Sequence, residues 1–164
     1  MSSSFEIPEV DHLTAGAVGP PGQRIFYLQA GHGAQVVSLR LEKTQVAALV
    51  AYLAGMLADM PPPGGIPTTG MELIEPVVAE WVVASLGVTY DEEADRIVIM
   101  AEELVAEGEE AARAKITATR EQVAALSVRG AEAVAAGRPP CPLCGLPLDP
   151  EGHTCPRLNG HRER

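Results

Sequence analysis

The pentapeptide Gln45-Val46-Ala47-Ala48-Leu49 recurs letter for letter as Gln122-Val123-Ala124-Ala125-Leu126, 77 residues on. A strand-like run precedes each copy, Val36 to Leu41 before the first and Ala114 to Thr119 before the second. Further upstream, Arg24 to Ala30 resembles Arg96 to Glu102. Matching flanks around a matching core predict an internal duplication of a strand–strand–strand–helix unit. The expected fold class is α+β: two such units in one antiparallel sheet, both helices on one face, with a small zinc knuckle at the C-terminus. Residues 8–137 form the duplicated body, with repeat one about 10–60 and repeat two about 77–136. Residues of about 13–58 should then overlay those of about 84–135, and parallel pairing of consecutive strands, or helices on opposite faces, would show that the duplication was misread.

Taken in order, the first unit offers Val10 to Ala17, Arg24 to Ala30 and Ala34 to Leu41 as strands. Gly19-Pro20-Pro21-Gly22 and Gly31-His32-Gly33 separate them, and gaps this short favour hairpins over parallel crossovers. Ile25 and Tyr27 oppose Phe26 and Leu28, so this strand is apolar on both faces. A helix is predicted over about 43–60, with Val46, Leu49, Val50, Leu53 and Leu57 on one stripe. Pro61-Pro62-Pro63-Gly64-Gly65 ends it and opens a linker. In the second unit Val82, Ala84, Leu86, Val88 and Tyr90 alternate, Asp91 to Asp95 turn the chain, and Arg96 to Glu102 return. Thr119 with Gln122 three residues on is a capping-box pattern. Val123, Leu126, Gly130 and Val134 give the second helix its stripe, in which Gly130 costs ~1 kcal/mol relative to Ala. Trp81 reads as core.

Composition narrows the function classes. At 164 residues with 46% hydrophobic and 21% charged positions, the chain can bury an ordinary core. No apolar run reaches the ~18–20 residues that span a bilayer, and the start lacks a basic and then apolar signal, so a cytoplasmic protein is expected. The net charge of −10 is uneven: residues 1–137 carry 8 Lys/Arg against 19 Asp/Glu, residues 138–164 carry 4 against 3. An acidic body argues against a broad nucleic-acid face. The acidic run from Asp91 to Glu110 shows no calcium-loop spacing and reads as a solvated hairpin tip and loop.

The chemistry-bearing stretch is the tail, 138–164. Cys141-Pro142-Leu143-Cys144-Gly145 is a zinc-knuckle sequence, in which two thiolates three apart face one ion and the glycine turns backbone amides toward sulfur. His153-Thr154-Cys155 follows, and then His161. Cys141, Cys144 and Cys155 with one imidazole make a closed, structural Cys₃His site for Zn. His153 is preferred over His161 as the fourth ligand, because residues two apart in an extended segment point to the same side. A catalytic zinc would need an open position and a nearby base. A Cys141–Cys144 redox pair would need a thioredoxin-like βαβ context, which is missing. His12 and His32 are isolated near turns.

Three stretches together resemble an uncharacterised actinobacterial family, domain of unknown function 3090. They are Pro21-Gly22-Gln23-Arg24 through Ala30, then Leu41-Glu42-Lys43 through Leu49, and the tail from Gly137-Arg138-Pro139-Pro140-Cys141 to Cys155-Pro156-Arg157 and Asn159-Gly160-His161. The similarity spans nearly the whole chain and departs over 60–76 and 108–113. The resemblance implies genes encoded beside a phosphatase-like protein, a kinase-like protein and enzymes of mycothiol synthesis. It carries over no catalytic residue.

The leading expectation is a non-enzymatic, zinc-stabilised protein-interaction or regulatory module, with another protein as its partner and the open sheet face available for a second copy. The alternative is an enzyme with a cleft between the repeats, where two of His12, Arg24, His32 and Glu42 would have to converge. A third is nucleic-acid contact by Arg138, Arg157, Arg162 and Arg164, which the acidic body would oppose.

Overall fold

The computed structural model describes residues 1–137, 141–146, 148, 153–158, 162 and 163. Its elements run β1 (Phe5–Ile7), β2 (His12–Val18), β3 (Ile25–His32), β4 (Gln35–Leu41) and α1 (Lys43–Ala58). An irregular connection leads to β5 (Ala79–Asp91), β6 (Arg96–Glu103), β7 (Arg113–Ala118) and α2 (Arg120–Ala135). The tail adds two short strands, β8 (His153–Thr154) and β9 (Arg162–Glu163), around a 3₁₀ turn at Pro156–Leu158. No helix among the described residues is long and apolar enough to cross a membrane.

β2–β3–β4 and β5–β6–β7 are each antiparallel meanders followed by a 16-residue helix. The class is α+β, but the sheet is mixed rather than antiparallel. Seven strands lie in the order β1-β7-β6-β5-β4-β3-β2, with β4 parallel to β5 and β1 parallel to β7. The consecutive strands β4 and β5 thus pair in parallel, against the expectation of antiparallel edges and, by the test stated above, against the duplication as drawn there. The cause is the connection between them: a 16-residue helix and an irregular segment are long enough for a crossover, whereas a hairpin gap is not.

The terminal strands of that order, β1 and β2, are neighbours in the chain. Seven strands at ~4.8 Å spacing would set the ends of a flat sheet about 29 Å apart. The five steps from Ile7 to His12 reach about 17 Å at most. The sheet therefore curls until its edges meet. Val10 N–H donates to Thr117 O of β7 at 3.3 Å, and Asp11 N–H to Gly31 O of β3 at 3.0 Å. One N-terminal segment seals both edges.

The repeated glutamines explain the repeated pentapeptide. Gln45 Oε1 accepts the Glu42 N–H at the start of α1 at 2.8 Å, and its Nε2 donates to Val83 O of β5 at 3.1 Å. Gln122 Oε1 accepts the Thr119 N–H at the start of α2 at 2.9 Å, and its Nε2 donates to Val10 O, just before β2, at 2.7 Å. Each closes its own helix cap and ties that helix to the first strand of the other unit. Val46, Leu49, Val123 and Leu126 are buried in a single core with Leu28, Leu39, Ile97, Ile99 and Ile116. Trp81 joins that core, its Nε1 donating to Ser3 O at 2.9 Å.

The helices meet at Gly130. A Cβ there would stand 2.4 Å from Val50 Cγ1 and 3.6 Å from Ala15 Cβ of β2, so both helices share one side of the sheet. Gly130 is thus the close-approach point of α1 and α2, not merely a weak place in a stripe. Helix propensity alone would reward Gly130→Ala by ~1 kcal/mol. Overpacking against a β-branched valine held by its own helix costs ~1–3 kcal/mol. Denaturant titration should therefore show Gly130→Ala no more stable than the parent and Gly130→Leu less stable by at least ~2 kcal/mol. A gain of a full ~1 kcal/mol on Gly130→Ala would contradict this packing.

The second face of β3 is covered by the chain itself. Gln29 is buried and hydrogen-bonded to Ile74 of the segment 71–77, in which Leu73 sits over Gly16 and Met71 O accepts from Thr14 Oγ1 at 2.6 Å.

Candidate metal centre

Cys141 and Cys144 flank a tight turn. Gly145 N–H donates to Cys141 O at 2.9 Å, and Cys141 N–H to Leu146 O at 2.8 Å. Gly145 holds φ at 76°, a left-handed conformation that glycine adopts without a side-chain clash. This is the geometry a knuckle needs: the loop folds back and both sulfurs face the same way. β8 then places His153, and Cys155 follows at the entry to the 3₁₀ turn.

The four donor atoms of Cys141, Cys144, His153 and Cys155 lie within 4.8 Å of one another. Cys141 Sγ is 3.9 Å from Cys155 Sγ, and Cys144 Sγ is 3.4 Å from His153 Nε2. Metal–sulfur bonds of ~2.3 Å and a metal–nitrogen bond of ~2.1 Å in a tetrahedron require edges of about 3.8 and about 3.6 Å. The cluster can hold a metal ion. Its sulfurs are too far apart for a disulfide, and all three cysteines are free.

Burial pushes the Cys141 thiol up, but the backbone N–H groups of Cys144 and Leu143 and the thiols of Cys144 and Cys155 outweigh it and hold it below its ordinary value. Burial raises the Cys155 thiol, and the neighbouring sulfurs add to that. The Cys141 thiolate is thus favoured before that of Cys155, which a cation would complete. His153 Nδ1 is buried with no partner among the described residues, leaving Nε2 as the ring atom that faces the sulfurs. His161, the other candidate fourth ligand, lies outside the described residues. Leu143 and Leu146 stand on the rim, 43% and 49% exposed.

Of the remaining candidates, Arg24 and Glu42 converge and the two histidines do not. His12 Nε2 bonds to Gln29 Oε1 at 2.8 Å, and His32 sits exposed 3.9 Å from Asp11. Neither faces a nucleophile. Arg24 and Glu42 do share a cavity of about 190 Å³, but it is walled by the first unit and Gly137 rather than opening between the two units. Arg40 and Lys43 line it as well, and sequence reasoning missed both. The β3–β4 register sets Arg40 opposite Tyr27 and, continued two residues, Lys43 opposite Arg24, and spacing along the chain does not reveal a register. Of the tail arginines, Arg157 is exposed; Arg138 and Arg164 and the side chain of Arg162 lie outside the described residues.

Neither the curated proteins nor the solved structures contain a match to this chain. A family model described as "Protein of unknown function (DUF3090)" matches residues 5–155, a span that takes in both three-strand units, both helices and all four donors. The chain belongs to the DUF3090 family.

Proposed function

We propose that this chain is a non-enzymatic module in which a duplicated α+β body carries a structural zinc knuckle that docks on another protein. The observation that carries the reading is the donor set: three sulfurs and the His153 imidazole nitrogen lie within 4.8 Å of one another, and an ion held by all four would have no position for a substrate or a reactive water. Zinc suits this set, since thiolate-rich tetrahedral sites select it over magnesium, calcium or manganese. The half-exposed Leu143 and Leu146 give the knuckle an apolar rim of the kind partners cover. For self-association the outer face of β5 to β7 is the surface left, because residues 71–77 cover that of β2 and β3. The matched roles of Gln45 and Gln122, each closing a helix cap and reaching across to the other unit's side of the sheet, support the duplication.

Elemental analysis of dialysed, reduced protein should find one zinc per chain. Affinity capture from native lysate should retain a partner with the intact chain and lose it with Cys141→Ser and with Leu143→Ser. Zinc well below half an equivalent would reject the metal. Retention of the same partner by both variants would reject the knuckle as the contact.

A further inference from the structure

Of the eight Lys and Arg in the body, four (Arg113, Lys115, Arg120 and Arg129) are ion-paired within the described residues. Three of the other four line one cavity. Arg24, Arg40 and Lys43 share the space of about 190 Å³ with Glu42, between the start of β3, the end of β4 and the start of α1. Phe26 pairs with Leu41, so continuing the register two residues places Arg24 opposite Lys43. None of the three has a carboxylate within 4.0 Å among the described residues, although the chain as a whole carries −10. Glu42 is the N-cap of α1, its main-chain O accepting the Gln45 N–H at 3.0 Å.

A structural purpose accounts for only part of this. α2 has no basic residue in its last turn, and Arg24 Nη1 donates to Ala133 O at 3.3 Å. Lys43 Nζ lies 2.7 Å from where a Gly137 Cβ would stand, beyond the same helix end. Two cations beside a helix C-terminus offset a partial charge of about half a unit. Arg40, on β4, serves no such end. Anchoring Nη1 also fixes the Arg24 guanidinium, whose Nε is shielded from solvent and has no partner among the described residues.

We propose that this cavity binds a phosphate dianion, free or as the monoester of a small molecule. Three cations and one carboxylate leave two positive charges, which match the nearly two negative charges of a phosphate monoester. Arginine forks favour its tetrahedral oxygens over a monocarboxylate. The cavity also exceeds the needs of one phosphate group, leaving space for an organic part.

Isothermal titration calorimetry of the full chain at low ionic strength tests this with inorganic phosphate, glycerol 3-phosphate and acetate. Phosphate and its ester should bind with one site per chain, and acetate should not compete. Arg40→Gln, which leaves the α2 contacts alone, should keep the parent melting temperature and weaken phosphate binding about tenfold or more. Tighter binding of the ester than of phosphate assigns the site to phosphorylated small molecules; equal binding assigns it to free phosphate. Absence of binding, equal competition by acetate, or an Arg40→Gln variant that binds as the parent does would overturn the proposal.

Discussion

Chelating the metal should abolish amide protection after residue 140 while β1 to β7, α1 and α2 stay protected. The separation follows from where the buried apolar residues lie. The core runs from Ile7 to Leu126 and includes none of the tail, so the body has its own reason to stay folded. The tail has little else. Its described residues contribute two two-residue strands and one 3₁₀ turn, and Leu143 and Leu146 remain half in solvent. Bringing three sulfurs and a ring nitrogen within 4.8 Å without an ion would bury polar groups that no strand ladder compensates. A structural zinc contributes ~10–16 kcal/mol to folding around it, the scale needed to order such a unit. Hydrogen exchange with and without chelator, alongside Cys144→Ser, is the measurement. The variant should reproduce the chelated pattern. Protection lost throughout the chain would mean that the tail is part of the body's core, and the boundary near residue 138 would be wrong.

The legible parts of this fold are those set by near neighbours in the chain. The capping box at Thr119 and Gln122 was readable because its two bonds join residues three apart. The stripe of Val46, Leu49 and Leu53 was readable from its period, and the four donors from their spacing. What escaped depends on contacts between distant segments. The parallel pairing of β4 with β5 is decided by how a long connection packs, and no local pattern records that. Sealing of the two edges by Val10 and Asp11 joins residues about 107 and 20 positions apart, and a periodicity window sees neither. The apolar residues Ile25 and Tyr27 opposite Phe26 and Leu28 read as a strand with two apolar faces; that the segment 71–77 lies against this part of the sheet is fixed by hydrogen bonds from Thr14 to Met71 and from Gln29 to Ile74. Gly130 illustrates the same limit. Propensity ranks it as a defect, and only the neighbouring Val50 shows why a side chain does not fit.

Replacing Gln29 should be the most damaging single change to the body outside its apolar core. Gln29 is fully buried on β3, and its amide works as a piece of backbone for the covering segment. Nε2 donates to Ile74 O at 3.0 Å, and Oε1 accepts the Ile74 N–H at 2.7 Å, as a paired strand would. The same two atoms also meet Ser38 Oγ at 3.0 Å and His12 Nε2 at 2.8 Å. Gln29→Met keeps the length and apolar volume but removes every one of these bonds. Each polar group left buried without a partner costs ~1–3 kcal/mol. The segment can relieve part of that by lifting into water, at the expense of uncovering Gly16 and Leu73. A net loss of about 3–5 kcal/mol is expected, which for a chain of this length lowers the melting temperature by roughly 6–20 °C. Thr14→Val removes the bond to Met71 O and a long one to Ala15 O and should cost ~1 kcal/mol. Proteolysis separates the two mechanisms of loss: Gln29→Met should become cleavable between residues 66 and 78 at temperatures where the folded parent and Thr14→Val resist. A Gln29→Met protein within ~1 kcal/mol of the parent, with that segment still protected, would show that the apolar contact of Leu73 over Gly16 holds the cover and that the amide does not.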